Sequence, residues 1–124
     1  METGITYCKL DKELIYTRLY HEAQGGSYTS YLRGKRCSND QAFFYEVSAS
    51  FQFPWYFGEN WAAFDECICD LEWLSFHRIF IVIDDFSSMF KGNKVKQRKL
   101  IGYLTSMVNF WKENNITVEI ILNS

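Results

Sequence analysis

Between Arg78 and Asp84 the chain reads Ile79-Phe80-Ile81-Val82-Ile83, five apolar residues without a polar break. A half-exposed strand would alternate apolar and polar residues, and a buried helix would need a run about twice as long. A strand hidden on both faces satisfies the pattern, and such strands belong to parallel sheets connected by crossover helices. The rest of the chain therefore has to supply partner strands and helices to connect them.

Both are present in the right order. Tyr28 to Arg33 (YTSYLR) is rich in aromatic and β-branched residues and reads as a strand ended by Gly34-Lys35. Ser38 and Gln41 have the spacing of a capping box and predict a helix start. Phe44, Val47 and Phe51 give that helix a buried stripe, and Pro54 closes the segment. A second helix is predicted from about Trp61 to Leu74, with Asn60 as its N-cap. A third runs from about Val95 to Glu113, with Leu100, Leu104, Met107, Val108 and Trp111 facing inward, and Asn114-Asn115 end it. Val118 to Leu122 is the last strand. The expected fold is α/β: a three-stranded parallel sheet with right-handed helical crossovers over residues 28–124. Residues 1–27 read as an N-terminal extension. Ile5 to Leu10 and Leu14 to Tyr20 flank Asp11-Lys12-Glu13 and suggest a β-hairpin, with a short helix as the alternative for the second run.

Composition narrows the class. The 124 residues are 48% hydrophobic and 19% aromatic, enough for one domain with a dense core. A formal charge of -2 speaks against general nucleic-acid binding, which needs a basic footprint. Charge is segregated: Lys91, Lys94, Lys96, Arg98 and Lys99 lie together, and Glu59, Asp65, Glu66, Asp70 and Glu72 form a separate acidic group. No apolar run reaches the roughly 18 residues of a membrane span, and the polar start does not read as an export signal. Cys8, Cys37, Cys67 and Cys69 are then expected to be reduced thiols in the cytoplasm.

The most informative stretch is Phe53-Pro54-Trp55-Tyr56-Phe57-Gly58-Glu59-Asn60-Trp61-Ala62-Ala63-Phe64-Asp65-Glu66-Cys67. It reads as an aromatic turn feeding a helix, with Gly58 supplying turn geometry that a side chain would resist. At about 100° per residue, Trp61, Phe64, Cys67, Ile68 and Leu71 share the inner side. Ala62, Glu66 and Asp70 lie opposite, Asp65 and Glu72 form a second acidic edge, and Glu59 extends the acidic character ahead of the helix. Trp55 and Tyr56 are candidate exposed aromatics beside it. An acidic surface of this kind fits a basic cleft on another protein, where opposed potentials speed association.

This stretch resembles the barstar family, whose members share a pattern like FPxYFGxNWDAL followed by an acidic residue and cysteine. Phe53, Pro54, Tyr56, Phe57, Gly58, Asn60, Trp61 and Ala63 match it, and Phe64 replaces leucine. The ending Ile120-Ile121-Leu122-Asn123-Ser124 is similar to the end of the same family. The resemblance covers roughly Tyr28 to Ser124. It implies an intracellular inhibitor, not an enzyme, whose acidic helix enters the active site of a ribonuclease and stands in for RNA phosphates. Trp55, Tyr56, Glu59, Asn60, Ala62, Asp65, Glu66 and Asp70 are the expected partner-binding residues. At two places the chain departs from the family: Ala62 occupies the position of a key aspartate, and Phe110 falls near where a further acidic contact is expected. Glu66 keeps the second acidic position. An interaction module of the same fold with a non-nuclease partner is the alternative.

No other constellation carries comparable weight. Cys67 and Cys69, two apart on a helix, point about 200° from each other and do not chelate one ion. His21 and His77 join no nucleophile pattern, and Asp84-Asp85 read as ordinary strand termination. No cofactor, metal, small-molecule substrate, nucleic acid or membrane is expected as a partner.

Overall fold

The computed structural model describes residues 4–124. Along the chain run β1 (Gly4–Cys8), α1 (Lys12–Gln24), β2 (Tyr28–Arg33), α2 (Asp40–Phe51), α3 (Trp61–Ile68), β3 (Arg78–Asp84), α4 (Lys94–Glu113) and β4 (Thr117–Asn123). Short 3-10 turns follow β2 and β3. The sheet has four strands in the order β1-β4-β3-β2, and every neighbouring pair is parallel. The predicted strand Arg78 to Ile83 is at its centre, and all seven residues of β3 are buried.

Two expectations about the N-terminal residues are corrected. The sheet has four strands instead of three, and residues 4–24 are a strand and a helix instead of a hairpin. Asp11, read as part of a turn, is a helix N-cap: its carboxylate accepts from the Leu14 amide at 3.0 Å. With the chain committed to a helix there, β1 pairs with β4, Gly4 opposite Glu119 through Cys8 opposite Asn123.

Sheet order fixes which face each helix covers. From β2 to β3 to β4 the chain advances in one direction, and α2, α3 and α4 build the main core on one face with Leu32, Ile79, Ile81, Ile83, Val118, Ile120 and Leu122. The connection from β1 to β2 runs the opposite way across the whole sheet. A right-handed crossover in that direction must use the other face. α1 lies there, packing Ile15 with Phe80, Val82 and Ile121.

Polar networks hold α1 at both ends. At the starts of the strands, Arg78 and Glu119 are only 3% and 4% exposed and pair with each other. The Arg78 guanidinium also donates to Glu22 of α1 at 3.0 Å, and Arg18 reaches Glu119 at 3.2 Å while lying over the Phe80 ring. At the far ends, Asp84 accepts from Lys12 at 2.7 Å, from the Tyr31 hydroxyl and from Asn123 at 3.0 Å. Asn123 also bridges the Leu10 amide and carbonyl, tying the β1–α1 connection to β4. Burial alone would raise the Asp84 carboxyl, but the hydrogen bonds from Lys12, Tyr31 and Asn123 outweigh it and hold the group down at about 2.

The remaining differences are local. α2 is capped by Asn39, which accepts from the Ala42 amide at 2.8 Å, so the predicted Ser38–Gln41 box is not the cap in use. Gly34 lets the turn after β2 press on the end of β3, since a Cβ there would sit 2.4 Å from the Asp85 carbonyl oxygen. α3 stops at Ile68, well short of Leu74. Leu71 turns into the left-handed region at φ 48° and is buried, and the Trp73 indole donates to the Phe51 carbonyl at 2.8 Å. These contacts fold residues 69–74 back over the end of α2.

Arg78→Ala leaves the buried Glu119 carboxylate without its main partner and is expected to cost about 3–5 kcal/mol in urea unfolding. Asp84 gives a pH signature. Its folded value lies below the ordinary 3.8, so its contribution is complete above about pH 4 and is lost as pH falls towards 2. Asp84→Asn should flatten the acid limb of the stability curve by about 2 kcal/mol, measured by thermal melts from pH 6 to pH 2.

Candidate functional site

The turn at 52–60 is built on two inward aromatics. Phe53 and Phe57 meet edge to face at 4.8 Å, and Phe53 stacks on Phe51 while Phe57 meets Phe44. The Phe57 amide closes the turn onto the Pro54 carbonyl at 3.0 Å. With its neighbours held inward, Trp55 stands at the tip, 95% exposed, with Tyr56 edge-on to it at 5.9 Å and itself half exposed.

Asn60 then starts α3. Its side chain accepts from the Ala63 amide at 2.8 Å and donates to the Gly58 carbonyl at 3.2 Å. Leading into α3 the left-handed residue is Glu59, at φ 52°, and not Gly58 as the sequence suggested. Gly58 serves close approach instead: a Cβ on it would lie 3.1 Å from the Asn60 side-chain nitrogen Nδ2.

α3 has the predicted orientation. Phe64, Cys67 and Ile68 are buried, and Ala62 and Glu66 are exposed. Trp61 is partly buried between Phe43 and Tyr103, stacked at 5.5 and 5.4 Å, and its indole donates to Asp40 at 3.2 Å. The Lys99 Nζ lies 5.1 Å from the centre of that ring, and Lys96 pairs with Asp40 at 3.0 Å, so the basic start of α4 borders the start of α3. Asp70 and Glu72, expected to continue the helix, follow its end and are exposed.

These acidic residues differ from the carboxylates packed against the sheet and α2. Asp40, Glu46, Asp84 and Glu119 each have a cationic partner. Glu59, Asp65, Glu66, Asp70 and Glu72 form no ion pair among the described residues, and no Lys or Arg occurs between residues 37 and 77. Partial burial, followed by the negative charges around it, chiefly Asp70, raises the Tyr56 hydroxyl. The aromatic tip and the carboxylates that follow α3 therefore share one corner of the molecule. Asp65 is half-buried on the edge towards Cys69.

Chemically the corner offers charge and aromatic surface, without a nucleophile. Burial raises the Cys67 thiol, and burial with Asp65 pushes Cys69 up to about 11. Cys69 lies past the end of α3, so the two thiols are not on one helix. Two open hollows of about 290 and 420 Å3 lie elsewhere, one against Tyr7, Lys94 and Arg98 and one against Tyr31, Arg33 and Glu46; neither shares a residue with the corner. Among the described residues no group of three or more His, Cys, Asp or Glu could hold a metal ion, and no helix is long and apolar enough to cross a membrane.

A family model described as Barstar (barnase inhibitor) matches residues 28–123, from the first residue of β2 to the last of β4. No curated protein matches the chain.

The frame beneath the corner can be tested directly. Phe64→Ala empties a fully buried site and is expected to cost about 3–5 kcal/mol, and Asn60→Ala about 1 kcal/mol through loss of the cap. Both are read as shifts in chemical denaturation midpoints.

Proposed function

Starting from the fact that the chain belongs to the Barstar family, we propose that it is a protein inhibitor that binds a nuclease and blocks its active site. One observation carries this reading: the stretch from Glu59 to Glu72 holds five carboxylates without ion-pair partners directly after an exposed Trp–Tyr pair, on a densely aromatic frame. Leaving so many like charges uncompensated on one corner favours a complementary cationic surface. A nuclease active site is such a surface, because it is built to hold phosphates. Glu66 on α3, with Glu59, Asp65 and Asp70 around it, would occupy the positions of the substrate's anionic groups. Trp55, Tyr56, Asn60 and Ala62 would line the contact. The inhibitor would act in the cytoplasm, neutralising a ribonuclease or related toxin before export, without catalysis of its own.

Ala62 supports a second reading. It is exposed on the α3 face where the family's aspartate is expected, so the corner carries one anchoring charge fewer. This favours a partner whose cationic groups are arranged differently, either a nuclease of another type or a protein that is not a nuclease.

The discriminating experiment titrates the protein into a panel of ribonucleases and nuclease toxins and measures residual activity. Stoichiometric inhibition of at least one, slowed by added salt, is the expected result. The double variant Glu66→Lys, Asp70→Lys should weaken inhibition by at least about tenfold and leave the melting temperature within about 2 °C, because exposed charges contribute little to folding. Unchanged inhibition by that variant would remove α3 from the interface. Capture of a non-nuclease partner through the same residues would favour the second reading.

A further inference from the structure

The chain has four tryptophans, and three are used in the same way. Trp61, Trp73 and Trp111 are partly buried, and each donates its indole N–H, to Asp40 at 3.2 Å, to the Phe51 carbonyl at 2.8 Å and to the Ile68 carbonyl at 2.8 Å. Trp55 does neither. It is 95% exposed, its indole N–H has no hydrogen-bond partner among the described residues, and its one aromatic neighbour is Tyr56.

Exposure of this degree is not explained by a loose loop. Pro54 precedes Trp55, the Phe57 amide closes the turn, and Phe53 and Phe57 are packed beneath it. The ring is therefore presented by a fixed backbone, so little conformational entropy is lost when something packs on it. Tryptophan offers the strongest π-face among side chains for a cation, and arginine is the cation that stacks on such faces most often. Edge-on to the ring is Tyr56, and the charges of Asp70 and Glu72 act on the Tyr56 hydroxyl. Indole face and carboxylate together match a guanidinium, which stacks through its plane and donates through its edge.

We propose that the Trp55–Tyr56 tip with Asp70 and Glu72 is a docking point for an arginine side chain of the partner protein, separate in role from the charge of Glu66 on α3. The proposal rests on the reading of the acidic corner as a partner-binding surface. In it the carboxylates attract any cationic surface, and Trp55 selects arginine over lysine and slows release.

The probes are two peptides of equal charge, hexa-arginine and hexa-lysine, added to the whole chain at low salt. The readouts are affinity by calorimetry and the four indole N–H signals in a nitrogen–proton NMR spectrum. Hexa-arginine should bind about fivefold more tightly than hexa-lysine. It should move the Trp55 indole signal and leave the three hydrogen-bonded indoles in place. Trp55→Ala, an exposed change that leaves the core intact, should equalise the two peptides while keeping weak, salt-sensitive binding. Equal affinities in the unmodified protein, or an arginine preference that survives Trp55→Ala, overturn the proposal and leave the acidic corner standing. Binding of neither peptide overturns both this inference and the reading it rests on.

Discussion

The structure depends on covering β3 from both sides. Its seven residues carry no exposed side chain, so the strand is viable only if an apolar layer lies on each face. Three helices supply one layer. The second is a single helix contributed by the N-terminal segment, which lies outside the region matched by the family model. That helix buries few apolar side chains of its own, and its position is fixed by charges: Arg18 and Glu22 with Arg78 and Glu119 at one end, Lys12 with Asp84 at the other. Buried ion networks are poor sources of net stability but strict about geometry. Here they set where α1 lies across the sheet, and through Asn123 and Leu10 they also set how β1 enters it.

On the opposite face the packing is aromatic. Phe43, Phe44, Phe53, Phe57, Phe64 and Trp61 form a continuous set of ring contacts linking α2, the 52–60 turn and α3. This set positions the functional corner. Each side chain that points in fixes the direction of a neighbour that points out: Phe53 and Phe57 for Trp55 and Tyr56, Phe64 and Cys67 for Glu66. Trp55 and Tyr56 are thus held outward on packed backing, away from the two open hollows.

Much of this was legible in the residues. The apolar run at 79–83 gave the central strand, and the stripe at Leu100, Leu104, Met107 and Val108 gave α4 and its buried face. Asn60 is legible as the cap of α3, and Phe64 with Glu66 as its inner and outer sides. The first helix is legible only as the alternative to a hairpin, because its inner stripe is Ile15, Arg18, Leu19 and Glu22, half of it charged, while Leu14, Tyr16 and Tyr20 remain exposed. Apolar periodicity cannot find a helix that docks by ion pairs. Arg78 and Glu119 read as ordinary polar strand residues because 40 positions intervene between them, and only the sheet register brings them together. The early end of α3 depends on Leu71 and Trp73 seeking cover on α2, a tertiary preference that no local helix signal encodes.

The segregation of side chains by sign has a consequence beyond the contact itself. From Phe86 to Lys112 the chain has six cationic residues and not one acid, whereas residues 37–77 hold seven acids and no Lys or Arg. In space the two sets meet where Lys96 pairs with Asp40 and Lys99 lies against Trp61, so cations border the start of α3 while the carboxylates from Glu59 to Glu72 stay unpaired. The field of those carboxylates extends over about 8 Å at physiological ionic strength, so a mobile cation senses them before it touches the surface.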